Sequence, residues 1–192
     1  MSELPISPTG SPQLLDAATM ARIIMRLAHE IAERHPGLDG VILLGVPTRG
    51  VPLAQRLASA LASIGLQQPP AAALDPRNHR DDRPRVAGRE VPALTAADGR
   101  PIQSIEGATV IVVDDVLFTG RTLRAALDAL MDHGRPATVD VLTLIDRGHR
   151  ELPLRATYVG KNVPTAVGDR VAVRLREIDG VDGAWLLPES DG

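Results

Sequence analysis

The chain has 192 residues, 44% of them apolar, enough for one buried core and short for two ordinary domains. Its formal net charge of −3 excludes a generally basic nucleic-acid-binding protein, and three aromatics (Phe118, Tyr158, Trp185) exclude base reading by repeated stacking. The absence of cysteine removes disulfides, thiolate-bound metals and thiol catalysis.

No apolar run approaches the roughly 18 residues of a membrane span, and the N-terminus lacks a signal-peptide pattern, so a soluble cytoplasmic protein is expected. Residues 1–13, rich in Ser, Pro, Thr and Gly, are expected to form a disordered tail. Met20, Ile23, Ile24, Leu27 and Ile31 then recur at helical spacing, with Asp16 as cap and Pro36-Gly37 as stop. The opposite face of that helix carries Arg22, Met25, Arg26, His29 and Glu33 and is mainly basic.

Val41 to Leu44 predicts a strand buried on both faces. Thr48-Arg49-Gly50 follows, and Leu53, Leu57, Leu61 and Ile64 predict a second helix. A short strand is expected over Ala71 to Leu74. Residues 76–104 are irregular and arginine-rich, the pattern of a lid, a binding loop or a disordered segment. Val110 to Val113 is the strongest strand signal, ending at Asp114-Asp115. The next helix is expected to bury Leu123, Leu127, Leu130 and Met131 and to stop at Gly134 and Pro136. Strands follow over Val139 to Ile145 and near 156–159, 171–175 and 184–187. This alternation predicts an α/β domain with a mainly parallel central sheet flanked by helices.

Ligands of parallel sheets bind beyond the C-terminal strand ends. Thr119-Gly120-Arg121-Thr122 stands at a helix start, where backbone N–H groups and hydroxyls suit an anion. Asp114-Asp115, just before it, suits sugar hydroxyls or a hydrated Mg²⁺. Thr48-Arg49 offers a second anion site. Two anion sites with a diol or metal site between them fit phosphoribosyl pyrophosphate (PRPP). Taken alone, the aspartate pair also suits a receiver-like domain or a phosphatase.

Val110 to Thr122 resembles the PRPP motif of type I phosphoribosyltransferases. More narrowly, Ala28 to Ile31, Thr48-Arg49-Gly50, Arg80-Asp81-Asp82, Asp146 to Pro153 and Val159 to Thr165 resemble the PyrR family. These are bifunctional pyrimidine operon attenuators and uracil phosphoribosyltransferases. Met25, Pro47 and Pro76 to His79 depart from that family's pattern.

The resemblance implies a type I phosphoribosyltransferase fold over residues 14–188, with a mobile lid loop at about 76–104. It implies that Asp114 and Asp115 bind the ribose hydroxyls, and Mg²⁺ directly or through water. Val116, Leu117, Phe118, Thr119, Gly120, Arg121 and Thr122 would wrap the 5′-phosphate. Thr48 and Arg49 would face pyrophosphate, Arg80 would close from the lid, and uracil would sit near Arg147.

Arg22, Arg26 and His29 lie at i, i+4 and i+7, so one helix face offers three phosphate contacts or simply a solvated charged surface. The resemblance implies that this face binds the pyrimidine mRNA leader when uridine nucleotides (UMP, UTP) are bound, with Thr48, Arg155 and Lys161 as further contacts. It implies no DNA or membrane partner, and a homodimer or higher oligomer. A salvage enzyme without RNA binding, an RNA-binding regulator without catalysis, and more remotely a purine phosphoribosyltransferase stay open at this point.

Overall fold

The computed structural model describes residues 10–79 and 91–187. Its strands are β1 (Gln13–Leu15), β2 (Val41–Gly45), β3 (Ala71–Ala73), β4 (Thr109–Leu117), β5 (Thr138–Asp146), β6 (Tyr158–Asn162), β7 (Arg170–Arg174) and β8 (Gly183–Leu187). Its helices are α1 (Ala17–Arg34), α2 (Gly50–Ser63), α3 (Arg121–Met131) and the single turn α4 (Arg176–Asp179).

Local rules set the helix ends. Asp16 Oδ1 accepts from the Thr19 N–H at 2.6 Å and opens α1, while Gly37 at φ +78° turns the chain just beyond its end. The central sheet is parallel in the order β3-β2-β4-β5-β6. Its inner strands are covered on both faces, which is why they are continuously apolar. On one face Ile23, Leu27 and Ile31 of α1 and Leu53 and Leu57 of α2 share a core with Leu43 and Ile111. On the other, Leu123, Ala126 and Leu130 of α3 pack with Leu44, Val110 and Val112.

A separate antiparallel sheet, β1-β8-β7, sits with α4 as a hood over one part of this scaffold. Guanidinium groups join the two units, that of Arg56 by several bonds. Arg56 Nε and Nη2 donate to the Glu177 carboxylate at 2.8 and 2.6 Å, and Nη2 also donates to Asp182 Oδ1 at 2.6 Å.

Several expectations change. Residues 1–9 of the expected disordered tail lie outside the described residues; of the remainder, the Pro12 carbonyl accepts from Leu186 N–H at 2.9 Å and Gln13 pairs with Trp185. The β4 strand passes through Asp114 and Asp115 to Leu117, because its ladder with β5 continues to Val116 opposite Ile145 and Leu117 opposite Asp146. Met131 is 52% exposed, since it falls about 100° round the helix from buried Leu130. The irregular 76–104 stretch is partly anchored: Leu94 is buried, and Ala96 bridges to Ala72. Arg80 and the middle of the expected lid lie outside the described residues.

Replacing Arg56 by Ala is expected to lower unfolding free energy by about 2 kcal/mol at pH 7, the scale of removing charge-assisted hydrogen bonds from partly buried partners. The hydrogen bond from Arg56 holds the Glu177 carboxyl below its usual range. At Asp182 burial pushes upward but is outweighed by hydrogen bonds from Arg56 and the Arg176 N–H. Depressed folded-state pKa values stabilise above the unfolded values near 4, and that stabilisation is lost as pH falls through the folded ones. Urea titrations should therefore show wild type and variant converging in acid. A gap independent of pH would remove these two carboxylates from the account.

Candidate functional site

Three segments leave the C-terminal ends of β2, β4 and β5 side by side. The first is Val46 to Arg49, after which α2 begins without a side-chain cap. Gly50 is required there because a Cβ would lie 2.3 Å from the Val113 carbonyl oxygen, so only glycine brings this turn against β4. Thr48 is exposed. Arg49 is half-buried, and its Nε and Nη2 donate to Asp179 of the hood at 3.2 and 2.7 Å.

The second segment is the end of β4. Asp114 Oδ1 accepts from the Asp115 N–H at 2.9 Å, and Asp115 Oδ1 from the Val116 N–H at 3.0 Å. Burial first, and the Asp115 charge second, push the Asp114 carboxyl well above the usual range. Burial raises Asp115 too, against its hydrogen bond with Asp114 and the Arg49 charge. Among the described residues no group of three or more His, Asp or Glu side chains is arranged to hold a metal. The aspartate pair thus fits a divalent cation only jointly with ligand oxygens and water, the usual manner for Mg²⁺.

Beyond the aspartates, Val116 packs on the α1–α2 side and Leu117 is buried on the α3 side, so these two offer backbone rather than side chain. Phe118, Thr119 and Gly120 form the turn itself. Gly120, at φ +91°, is the residue from which α3 starts. Arg121 turns sideways to Glu151, with Nε 2.6 Å from Oε2, and Thr122 lies in the first turn of α3.

The third segment follows β5. Arg147 is buried, donating to Thr165 Oγ1 at 3.1 Å and to the Ala166 and Val167 carbonyls at 3.0 and 3.2 Å. Its Cζ lies 3.9 Å from the centre of the Phe118 ring, and burial lowers its pKa. Arg147 is therefore brought to the Phe118 to Gly120 turn, as a wall rather than a free cation. A cleft of about 530 Å³ opens beside Asp115 and Arg49, closed on the hood side by Arg170, Arg174, Ile178 and Asp179. That volume suits a small organic ligand.

The basic face of α1 lies elsewhere. Arg22, Arg26 and His29 are exposed, but Arg26 is already engaged: Nη2 donates to the Val159 and Gly160 carbonyls at 3.1 and 2.6 Å, and Nη1 pairs with Glu30. Lys161 Nζ donates to the Leu14 carbonyl at 2.9 Å. Arg155 is exposed in the loop before β6. Asp179 and Arg56 escape sequence reasoning because their partners lie more than a hundred residues away. Arg150 lies inside the Asp146 to Pro153 stretch, with nothing in the residue pattern to single it out.

A family model described as "Phosphoribosyl transferase domain" matches residues 10–173. A bifunctional protein PyrR of Chloroflexus aurantiacus is 51% identical over 91% of this chain and 94% of its own. Another, of Streptomyces coelicolor, is 52% identical over 90% of this chain and 88% of its own. Among solved structures, a Trypanosoma cruzi hypoxanthine phosphoribosyltransferase in complex with IMP superposes with a TM-score of 0.66 at 19% identity, over 95% of this chain and 93% of that one. At that identity the likeness is one of fold.

The raised carboxyl of Asp114 gives a stability test. A folded-state pKa above the unfolded value near 4 costs nothing below that pH, and the cost grows as pH rises toward the folded value. In metal-free and ligand-free buffer, Asp114→Asn should melt higher than wild type at pH 7, and the advantage should shrink toward pH 4. Equal melting temperatures at pH 7 would show that the pair carries no such cost.

Proposed function

The chain belongs to the phosphoribosyl transferase domain family, and within it to the bifunctional PyrR proteins; from that premise we propose a double role for it. It forms UMP and pyrophosphate from uracil and PRPP. It also binds the leader of a pyrimidine-gene transcript, under the control of uridine nucleotides. The observation that carries the enzymatic half is that Arg49 and Asp115 line one cleft, while Asp114 and the Phe118 to Gly120 turn at the start of α3 follow on the same strand end.

In the reaction the uracil N1 lone pair forms the bond to C1 of the ribose as the bond from C1 to the pyrophosphate oxygen breaks, and the N1 proton is released. Positive charge grows on the sugar and negative charge on the leaving group. Asp114 and Asp115 accept from the 2′ and 3′ hydroxyls, which fixes the ring and places anionic charge beside the electron-poor carbon. Backbone N–H groups and hydroxyls from Phe118 to Thr122 hold the 5′-phosphate. Thr48 and Arg49 face the departing pyrophosphate. Mg²⁺ held by ligand oxygens and the aspartates supplies charge neutralisation at the leaving group when bound. Uracil lies toward Arg147, whose engaged guanidinium shapes that wall. Arg80, from the lid, is assigned to closure over PRPP, which keeps water from the sugar cation.

For the regulatory half, support comes from the relatives' bifunctional designation and from the exposed Arg22 and His29 of α1, with Lys161 on β6 and Arg155 just before it. Arg26 serves the fold first. Thr48, after β2, is assigned to the leader only as a secondary contact, and the active unit is assigned to a homodimer or larger homo-oligomer.

Two outcomes are expected. Asp114→Asn with Asp115→Asn should cut UMP formation by about 10²–10³-fold, the scale of removing groups that stabilise transition-state charge. Full turnover would displace PRPP from this cleft. Arg22→Ala with His29→Ala should leave UMP formation intact and weaken binding to the leader transcript in gel shifts with UMP present. For every RNA phosphate that the variant no longer neutralises, the salt slope should fall by about 0.7. Unchanged RNA affinity would exclude this face, and no wild-type binding at low salt would leave an enzyme alone.

A further inference from the structure

We propose that Arg150 is a positioning residue for the 5′-phosphate turn: it ties the turn's carbonyl groups back so that its N–H groups face the ligand. The inference rests on the phosphate-binding role proposed above for residues 118–122 and adds a residue that touches no substrate.

Arg150 is largely buried, with Nε and Nη1 used on backbone oxygens and Nη2 on a carboxylate. Nη1 donates to the Phe118 carbonyl at 2.6 Å, the Gly148 carbonyl at 3.0 Å and the Leu117 carbonyl at 3.4 Å. Nε donates to the Leu154 carbonyl at 3.1 Å, and Nη2 pairs with Asp146. Neighbouring amides work on the same side. The Arg147 N–H donates to Leu117 O at 3.1 Å, and the Glu151 and Leu152 N–H groups donate to Thr119 O at 3.0 and 3.2 Å.

Three successive carbonyls, of residues 117, 118 and 119, are thus held from the strap formed by residues 146–152. In a planar trans peptide the N–H points opposite to the C=O. Fixing these oxygens toward the strap therefore turns the N–H groups of Phe118, Thr119 and Gly120 the other way, as an anion-binding nest requires. The middle peptide of the three depends on Arg150, because Phe118 O accepts from that side chain. Arginine is needed here because a planar fork reaches Phe118 O, Leu154 O and Asp146 together, which a single ammonium cannot do.

The role separates phosphate from base. Calorimetric titration of the full chain with UMP and with uridine should show Arg150→Gln weakening UMP about tenfold while uridine changes less than about twofold. Steady-state kinetics should raise KM for PRPP about tenfold and leave KM for uracil within about twofold. Arg150→Lys keeps the charge beside Asp146 and carries the decision where the Gln variant does not fold; it too should bind UMP at least about threefold more weakly. Wild-type UMP affinity in either folded variant overturns the assignment, as do equal losses for UMP and uridine. Unfolding of both variants overturns it as well, since the residue then holds the domain and not the turn. A wild-type chain that binds neither UMP nor PRPP overturns the parent reading and this one with it, whereas UMP binding that ignores Arg150 overturns this one alone.

Discussion

The parallel register between β4 and β5 is the constraint on which the cleft depends. Leu117 stands opposite Asp146, so both strands end at the same height and the two following segments leave the sheet side by side. One of these segments is the Phe118 to Gly120 turn; the other carries Arg147 and Arg150. A shift of one residue would move every side chain of β4 to the wrong face, Asp114 and Asp115 included. With Val110, Ile111, Val112 and Val113 all inaccessible, such a shift would also exchange side chains between the two cores and require both to repack. The apolar run therefore specifies the chemistry as well as the fold. It holds two carboxylates within a rigid strand, where their mutual repulsion is not relieved by movement.

Arginine does the joining between these rigid parts. Of the chain's 21 Lys and Arg residues only Lys161 is a lysine, and the structure gives the preference a reason. Arg49 links the β2 segment to the hood through Asp179, Arg56 links α2 to Glu177 and Asp182, and Arg150 binds four backbone carbonyls and one carboxylate. Each task needs several donors in one plane, which guanidinium supplies and ammonium does not. These arginines are mostly engaged within the protein, so a count of basic residues overstates the charge available to outside ligands.

What was legible in the sequence follows from how local each signal is. The α1 start at Asp16, the buried runs of β2 and β4, and the helix after Gly120 are written in contiguous residues, and the structure places them where the pattern does. The positions of the aspartate pair and of the Phe118 to Gly120 turn were legible for the same reason. Of the hood, only the strands near 171–175 and 184–187 were legible; β1 was not, because its antiparallel pairing brings Gln13 to Trp185 and no local pattern encodes that distance. The Asp179–Arg49 and Arg56–Glu177 contacts were hidden likewise. Arg147 was assigned to the base side from resemblance alone. Its role as a buried wall over Phe118 depends on the carbonyls of Ala166 and Val167, which hydropathy does not reveal.

The basic face of α1 shows how one residue set serves two demands. Arg26 reaches across to the Val159 and Gly160 carbonyls and fastens the helix to the edge strand β6, while Arg22 and His29 on the same face remain exposed. Non-specific affinity for nucleic acid grows with the number of phosphates neutralised. A face with so few exposed cations, on a chain of net charge −3, gains little from RNA at large. On the proposed reading, the leader must then be recognised by the arrangement of its phosphates and its folded shape. The acidic balance of the chain works in the same direction, because it repels any RNA that does not fit the patch. On that reading specificity comes from which exposed basic residues share one face, since Arg49, Arg56 and Arg150 spend their donors within the protein.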